Sequence, residues 1–83
     1  MSIEVLKFSA SWCTPCKLLS ATLKDAEGLK EIDIDQNREL TAQYSVRSVP
    51  TLVFLQDGKE VDRTVGAIPL ARYEEIINRL NNK

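Results

Sequence analysis

The sequence contains no histidine and only two cysteines, and these scarcities exclude several kinds of chemistry. A structural zinc site needs about four ligands, so one copy of this chain would have to complete the set with carboxylates. No apolar run approaches the roughly 20 residues of a membrane-spanning helix. Lys and Arg total 11 against 12 Asp and Glu, which gives no basic surface for nucleic acid or membrane. We therefore expect no metal, no cofactor, no nucleic acid and no membrane partner.

The chain also lacks any sign of a leader or of subdivision. Residues 1–5 do not show a basic segment followed by a long apolar one, which is the pattern of a secretory signal. No repeat, linker or low-complexity segment interrupts the sequence, and 83 residues suffice for one hydrophobic core. We expect a single domain over residues 1–83 that is monomeric and cytoplasmic. In that compartment a lone cysteine pair is cycled rather than left oxidised.

The two cysteines, Cys13 and Cys16, lie three positions apart in the segment SWCTPCK, between an apolar run and a helical pattern. In the chain-entropy model, a disulfide across so short a loop stabilises the folded state by only about 2 kcal/mol, so the pair is poorly placed for a purely structural role. Within a first helical turn, however, this spacing places both sulfurs on one face within bonding reach. The spacing therefore favours a reversible redox pair. A structural metal site and an inert buried pair remain the alternatives.

The position of the pair at a helix start predicts different behaviour for the two thiols. If Cys13 caps the helix, the free N–H groups and the positive end of the helix dipole favour its thiolate. Pro15 suits the first turn, where its missing N–H costs nothing. Cys16 lies one turn further along and should be more buried. This asymmetry suits an attacking thiol at Cys13 and a resolving thiol at Cys16.

The rest of the sequence alternates strand and helix patterns. We predict strands at 3–8, 29–34, 51–55 and 60–65, and helices after Cys13, after Asn37 and from Pro69. Gly28 is predicted to end the first helix, and Asp57-Gly58 to form a hairpin turn. The order βαβαββα predicts an α/β fold. Its two crossovers imply a parallel trio of strands, or part of one, joined by an antiparallel hairpin.

Four segments resemble thioredoxins in their order and spacing, and the resemblance runs from about residue 5 to residue 80. The segments are WCTPCK at 12–17, DIDQN at 33–37, VRSVPT at 46–51 and VGA at 65–67. The first strand and helix of full-length thioredoxins have no counterpart, so the chain resembles a small member of the family. The resemblance implies a thioredoxin-like fold, a four-stranded mixed sheet flanked by three helices, with the cysteines at the tip of the first helix.

The resemblance also implies a reaction. Cys13 would attack a protein disulfide and form a mixed disulfide, and Cys16 would resolve it to leave the Cys13–Cys16 bond. The substrates would then be disulfide-containing proteins, and a thioredoxin reductase or a similar reductase would restore the dithiol. A glutaredoxin-like, glutathione-dependent enzyme is one alternative, which the short length favours but Trp12 and the Gly66-Ala67 pair do not. A non-catalytic adaptor that holds partners in the same groove is the other.

A substrate groove beside the cysteines follows from the same resemblance. Pro50 matches the family's cis-proline, which turns the backbone of Val49 outward so that an extended segment can pair with it. The residues expected to contact substrate are Trp12, Pro15, Val49, Pro50, Gly66 and Ala67. Three of them have structural alternatives: a trans Pro50 that begins a strand, Trp12 as a core or lid residue, and a strand-end bulge at Gly66.

Several positions depart from the family pattern. Thr14 stands where most thioredoxins have glycine, which leaves the oxidising strength open. Ser45 replaces another glycine, so that turn is expected to be strained or rearranged. The family's buried aspartate beneath the second cysteine corresponds to Lys7, and the lysine beside it corresponds to Glu31. The two charges thus look exchanged between adjacent strands.

The exchange suggests a hypothesis for proton transfer. A buried ion pair can survive such a swap, because either charge alone would be costly. Glu31, or water held by a Lys7–Glu31 pair, would take the proton of Cys16, while Lys7 would favour the Cys16 thiolate. In the alternative, Lys7 extends to solvent along the protein surface and Glu31 is an ordinary exposed strand residue.

Overall fold

The computed structural model describes residues 3–82, which form one four-stranded sheet and three helices. The strands are β1 (Ile3–Ser9), β2 (Leu29–Asp33), β3 (Thr51–Gln56) and β4 (Lys59–Val65), and the helices are α1 (Thr14–Thr22), α2 (Arg38–Gln43) and α3 (Leu70–Asn81). This order confirms the predicted α/β fold. Each strand agrees with its predicted range to within one residue at either end.

The sheet has the strand order β2-β1-β3-β4 and contains one parallel pair. β1 and β2 are parallel, whereas β3 is antiparallel to both β1 and β4. The prediction of a parallel trio was therefore wrong, and only its smaller version, a parallel pair, is present. The reason lies in where β3 begins: Thr51 pairs with Phe8, at the same end of the sheet where β2 finishes. Residues 34–50 stay at that end instead of returning along the sheet.

Alternating residues of β1 face two separate hydrophobic clusters, one on each side of the sheet. Val5 packs with residues of α1 and α3 in a cluster of Val5, Leu19, Leu23, Leu52, Phe54, Tyr73, Ile76 and Leu80. Leu6 and Phe8 face the other side, in a cluster of Leu6, Phe8, Ile32, Val53 and Leu55 against which Leu40 and Tyr44 pack. α1 and α3 therefore cover one face of the sheet, and α2 covers the other.

One predicted helix boundary needs correction, whereas the predicted start of α2 after Asn37 is confirmed. α1 ends at Thr22 with Leu23 as its C-cap, so Gly28 does not end this helix. Gly28 instead precedes β2 with φ +75°, and a Cβ there would lie 3.4 Å from the Ile3 carbonyl oxygen, so glycine permits the close entry into β2. Asn37 does precede α2, but its side chain forms no cap. Its Nδ2 donates to the Asp33 carbonyl oxygen at 3.0 Å.

Two turns have the left-handed backbone that their sequences suggested. Asp57 and Gly58 both have positive φ, 54° and 85°, as a two-residue hairpin turn requires. Ser45 follows α2 with φ 53°, which confirms a strained turn, because a residue with a Cβ rarely adopts this conformation. Among residues 3–82, none of the helices has the length and hydropathy needed to cross a membrane.

Candidate redox site

The segments singled out by the sequence meet at one end of the sheet. Ser9, the last residue of β1, pairs with Asp33, the last residue of β2. Thr51, the first residue of β3, pairs with both Phe8 of β1 and Val65 of β4. The loops that leave β1, β2 and β4 and the loop that enters β3 must therefore lie together. These loops carry the cysteine pair, Asp35, the Val49-Pro50 step and Gly66.

Cys13 and Cys16 are joined by a disulfide at the start of α1, with their Cα atoms 5.3 Å apart. Cys13 is the N-cap residue and Pro15 lies in the first turn, both as predicted. The Cys16 amide donates to the Cys13 sulfur at 3.2 Å, in the position that a capping oxygen normally takes. This N–H and the helix dipole would stabilise a thiolate at Cys13 once the disulfide is reduced.

Both cysteines are buried, at 5% exposure for Cys13 and 2% for Cys16, but they face different surroundings. Cys13 lines an apolar groove of about 460 Å³ on the outer side of the loops. Cys16 lines a polar cleft of about 400 Å³ between α1 and the end of β2. The apolar groove is formed by Trp12, Cys13, Thr14, Pro15, Ile34, Arg47, Ser48 and Val49. The polar cleft is formed by Ser9, Ala10, Ser11, Cys16, Lys17, Ser20, Glu31 and Asp33.

The loop before β3 faces the cysteine pair. The Val49-Pro50 peptide bond is cis, as the resemblance implied, and Pro50 is buried. The carbonyl oxygen of Val49 lies 3.7 Å from the Cys13 sulfur. A backbone acceptor is thus placed beside the sulfur that lines the groove. A segment bound at Cys13 would run directly alongside it.

Trp12 is 66% exposed, so it is neither a core residue nor a closed lid. Its indole Nε1 donates to the Asp35 Oδ2 at 3.0 Å, which holds the ring at the edge of the groove. Pro15 and Val49 also line the groove. Three of the six predicted contact residues are therefore brought together around Cys13.

The other three predicted contact residues are placed differently. Pro50 is buried and does not line the groove. The Gly66 amide donates to the Pro50 carbonyl oxygen at 2.8 Å, so the loop after β4 lies against this proline. Neither Gly66 nor Ala67 lines the groove itself. Gly66 has φ +93° directly after β4, a conformation in which glycine ends the strand without strain.

Lys7 and Glu31 form the predicted pair on adjacent strands, where they are direct partners in the β1–β2 register. The Lys7 Nζ lies 2.7 Å from the Glu31 Oε1 and also donates to the Ser20 hydroxyl. Lys7 is buried, so the alternative in which it extends to solvent is wrong. Glu31 is exposed, so the pair is buried on one side only. Both of the residues that Lys7 contacts line the polar cleft beside Cys16.

Sequence reasoning assigned no role to several residues of the site, among them Ser20, Ile34 and Arg47. Ser20 follows Cys16 by one helical turn, and that spacing could have placed it on the same face. Ile34 and Arg47 line the apolar groove. Both lie in segments that carry the family resemblance, but the resemblance assigned neither of them a role. Nothing in the local pattern shows that the loops holding Ile34 and Arg47 converge. Their convergence depends on the antiparallel placement of β3.

Comparisons with known proteins agree with this arrangement. The thioredoxin family model matches residues 2–79. A thioredoxin from Mycoplasmoides gallisepticum is 38% identical over 79 residues, which are 88% of this chain and 79% of that protein. The X-ray structure of Fasciola hepatica thioredoxin superposes with a TM-score of 0.81 at 41% identity, covering 93% of this chain and 79% of that one. The germline-specific Drosophila thioredoxin Deadhead gives a TM-score of 0.84 at 34% identity, covering 95% and 81%.

Proposed function

This chain belongs to the thioredoxin family and is a thiol–disulfide oxidoreductase, and on that premise we propose that Cys13 attacks protein disulfides and Cys16 resolves the intermediate. The Cys13 thiolate bonds to one substrate sulfur, the substrate S–S bond breaks, and the other sulfur leaves and takes up a proton. The Cys16 thiolate then bonds to the Cys13 sulfur and releases the second substrate thiol. Two electrons and two protons pass from the dithiol to the substrate, and the Cys13–Cys16 disulfide remains.

The different surroundings of the two sulfurs are the observation that supports these roles. Cys13 lines the apolar groove, where a substrate segment has room, and its sulfur receives the Cys16 N–H. Cys16 lines the polar cleft on the other side. An incoming disulfide therefore reaches Cys13 first. Cys16 lies beside the Cys13 sulfur, to which it is bonded in the oxidised protein.

Trapping experiments test the assignment. The Cys16→Ser variant should accumulate a mixed disulfide with a model protein substrate, because Cys13 attacks but nothing resolves the intermediate. The Cys13→Ser variant should neither trap substrate nor reduce it faster than the uncatalysed background. Cys13→Ser retains the helix start, since serine is a good N-cap residue, and Cys16→Ser leaves the N-cap residue unchanged. Equal trapping by the two variants, or parental turnover in either, would overturn the roles.

The substrate segment binds in extended form beside the Val49 backbone, by the same main-chain pairing that adds a strand to a sheet edge. Trp12 and Pro15 provide apolar contacts, and Pro50 supports the Val49 carbonyl from below. Gly66 and Ala67 lie beyond Pro50 and contact the part of a protein substrate that extends past the groove. The support for this is the 3.7 Å contact between Cys13 and the Val49 carbonyl oxygen, and the Gly66–Pro50 hydrogen bond.

In this proposal residues 1–83 act as a single domain, monomeric and cytoplasmic, that takes electrons from a thioredoxin reductase or a similar reductase and contributes to cellular redox homeostasis. Protein disulfides are its substrates. An assay coupled to thioredoxin reductase, run beside one coupled to glutathione, separates this function from the glutaredoxin-like alternative. Turnover with the reductase alone supports the proposal, whereas turnover that requires glutathione contradicts it. Binding that survives alkylation of both cysteines, without turnover, would instead identify an adaptor.

The Lys7–Glu31 pair serves proton transfer at Cys16 in this proposal. The Lys7 ammonium favours a thiolate at Cys16, and Glu31, or water that it holds in the polar cleft, accepts the proton that Cys16 loses. The support is positional: Ser20 and Glu31, the two groups that bond Lys7, line the same cleft as Cys16. In this proposal Lys7 is a positioning residue, whereas Glu31 is the proton acceptor, either directly or through the water that it holds.

A further inference from the structure

One charged side chain, that of Arg47, lines the apolar groove beside Cys13. The other lining residues are Cys13 itself, the apolar Trp12, Pro15, Ile34 and Val49, and the hydroxyl residues Thr14 and Ser48. A substrate segment in this groove therefore meets a mostly apolar surface with a single positive group. Such a group adds little general affinity, but it distinguishes between segments that carry different charges.

Arg47 differs from the arginines that have a structural role. Arg63 pairs with Glu60 and donates to the Tyr44 carbonyl oxygen, while Arg72 pairs with Glu75 and Arg79 with Asp62. Within residues 3–82, the ion pairs do not include Arg47, which is exposed. Asp35, an acidic residue at the edge of the groove, accepts the Trp12 indole N–H instead. The Arg47 guanidinium is thus left to interact with whatever occupies the groove.

We propose that Arg47 makes this oxidoreductase select substrate segments that carry an acidic side chain close to the reacting cysteine. The proposal rests on the proposed function, in which a segment bonded to Cys13 runs beside the Val49 backbone. Arg47 lines the same groove as Cys13 and Val49, so an acidic residue of the segment close to the reacting cysteine comes within reach of the guanidinium. Positions before and after the cysteine are both tested, because the segment can run in either direction. A Glu or Asp so placed can accept paired hydrogen bonds from the planar guanidinium.

The expected effect is modest, because Arg47 is exposed and water screens its charge. Exposed ion pairs correspond to roughly a two- to fivefold preference. The preference should weaken with added salt, since the screening length falls to about 3 Å at 1 M ionic strength. It should also reverse when the charge of residue 47 is reversed, which a general effect of peptide charge would not do.

The experiment uses symmetric disulfide dimers of short peptides with blocked ends and one cysteine, so that attack on either sulfur is equivalent. Glu, Gln or Lys is placed two positions before or two positions after the cysteine. Pre-reduced protein is mixed with each dimer, and the peptide thiol released in a single turnover is measured by chromatography. Each rate is divided by the rate with dithiothreitol, a neutral dithiol, which removes the effect of the charge on the intrinsic reactivity of the peptide.

The parent protein should reduce the Glu dimer about two- to fivefold faster than the Gln dimer at one of the two positions, and the Lys dimer more slowly. Arg47→Gln should bring the Glu/Gln ratio to about 1, and Arg47→Glu should favour the Lys dimer. Lys59→Gln is the matched control, because Lys59 lies at the opposite end of β4 from Gly66 and its loss changes net charge equally. This variant should keep the parental ratio.

Three outcomes would overturn the proposal: equal normalised rates for Glu, Gln and Lys dimers, a preference that survives in Arg47→Gln, or the same loss of preference in Lys59→Gln. Failure of the proposed function gives a different result, since then the reduced parent would release no peptide thiol from any dimer. The Cys13→Ser variant defines that baseline. The two failures are therefore distinguishable within one set of measurements.

Discussion

The Lys7 ammonium contacts the Glu31 carboxylate at 2.7 Å, although the Lys7 side chain is 2% exposed and the Glu31 side chain is 60% exposed. Lys7 lies on the face of β1 that also carries Val5, which is the face covered by α1. The aliphatic part of the Lys7 side chain is therefore buried between the sheet and α1, and its ammonium group contacts Glu31. The Ser20 hydroxyl accepts a second hydrogen bond. The positive charge is therefore held in place beneath α1, one turn beyond Cys16.

This placement predicts that Lys7→Met changes the titration of the resolving thiol. Loss of the ammonium should move thiolate formation at Cys16 to higher pH, because a nearby positive charge favours the ionised form. The measurement is the pH dependence of alkylation of the reduced Cys13→Ser background, in which Cys16 is the single thiol. Lys30→Met, at an exposed position of β2, is the matched control and should leave this titration unchanged.

Glu31→Gln is expected to affect the rate of resolution. Without the carboxylate, the proton of Cys16 loses its acceptor, so the mixed disulfide should persist longer while its formation by Cys13 continues at the parental rate. Quenched-flow measurement of both steps checks this prediction. Unchanged Cys16 titration and unchanged turnover in both Lys7→Met and Glu31→Gln would remove the pair from the mechanism.

The same two variants should differ in their effects on the free energy of unfolding. Glu31→Gln leaves a buried ammonium with a neutral partner and should lower the free energy of unfolding by about 1 kcal/mol, less than for a fully buried pair because the carboxylate is exposed. Lys7→Met removes the charge together with its desolvation cost and should be neutral or stabilising. Urea midpoints of the oxidised proteins measure both. A larger loss in Lys7→Met than in Glu31→Gln would contradict this account.

Ser45→Gly is predicted to stabilise the protein by about 0.5–1 kcal/mol. Ser45 has φ 53°, where a Cβ costs roughly 1–2 kcal/mol, and the greater unfolded-state entropy of glycine offsets part of the gain. The expected rise in the melting temperature is a few degrees. Ser45→Ala is the control: it keeps the Cβ and should give no comparable gain. Equal melting temperatures for the Gly and Ala variants would show that the turn is not strained.

Glu60→Gln should destabilise the protein at neutral pH only. Two hydrogen bonds from Arg63, at 2.7 and 2.9 Å, lower the pKa of the Glu60 carboxyl below its usual value. A lowered folded-state pKa gives stability that is present above the unfolded-state value and is lost as the pH falls through the folded-state one. Since the pair is about one-third exposed, the cost at pH 7 is about 0.5 kcal/mol.

Urea midpoints measured at pH 7 and at successively lower pH values check that prediction. The gap between parent and Glu60→Gln should close at low pH, because a protonated Glu60 then resembles glutamine. Glu74→Gln, at an exposed position of α3, should show no such gap at any of these pH values. A gap of the same size at all of them would mean that the carboxylate charge is not what stabilises this contact.

Local signals predicted the parts of this fold that depend on local chemistry. The redox spacing of Cys13 and Cys16, the hairpin turn at Asp57-Gly58 and the start of α3 at Pro69 are set by residues close together in the chain, and the structure confirms them. The direction of β3 is not local, since it depends on how residues 34–50 cross one end of the sheet. The prediction of a parallel trio was wrong for that reason.

The site shows the same division between local and long-range information. Trp12, Cys13 and Pro15 lie within four consecutive positions of the chain, and the sequence placed them together correctly. The convergence of Arg47 and Ile34 on the same groove requires the pairing of Thr51 with Phe8, which no short pattern encodes. The pairing of Lys7 with Glu31 was predictable only through the resemblance, because nothing in the strand pattern sets the register of β1 against β2.

Cys13 and Cys16 line two cavities that share no lining residue, and this has a consequence for the timing of the proposed reaction. A substrate segment seated in the apolar groove would exclude water from Cys13 while the polar cleft stays open. Cys16 can then exchange its proton with the solvent while the substrate is still attached. The bulk of the substrate therefore need not slow its own release, and large folded substrates should leave as readily as short peptides.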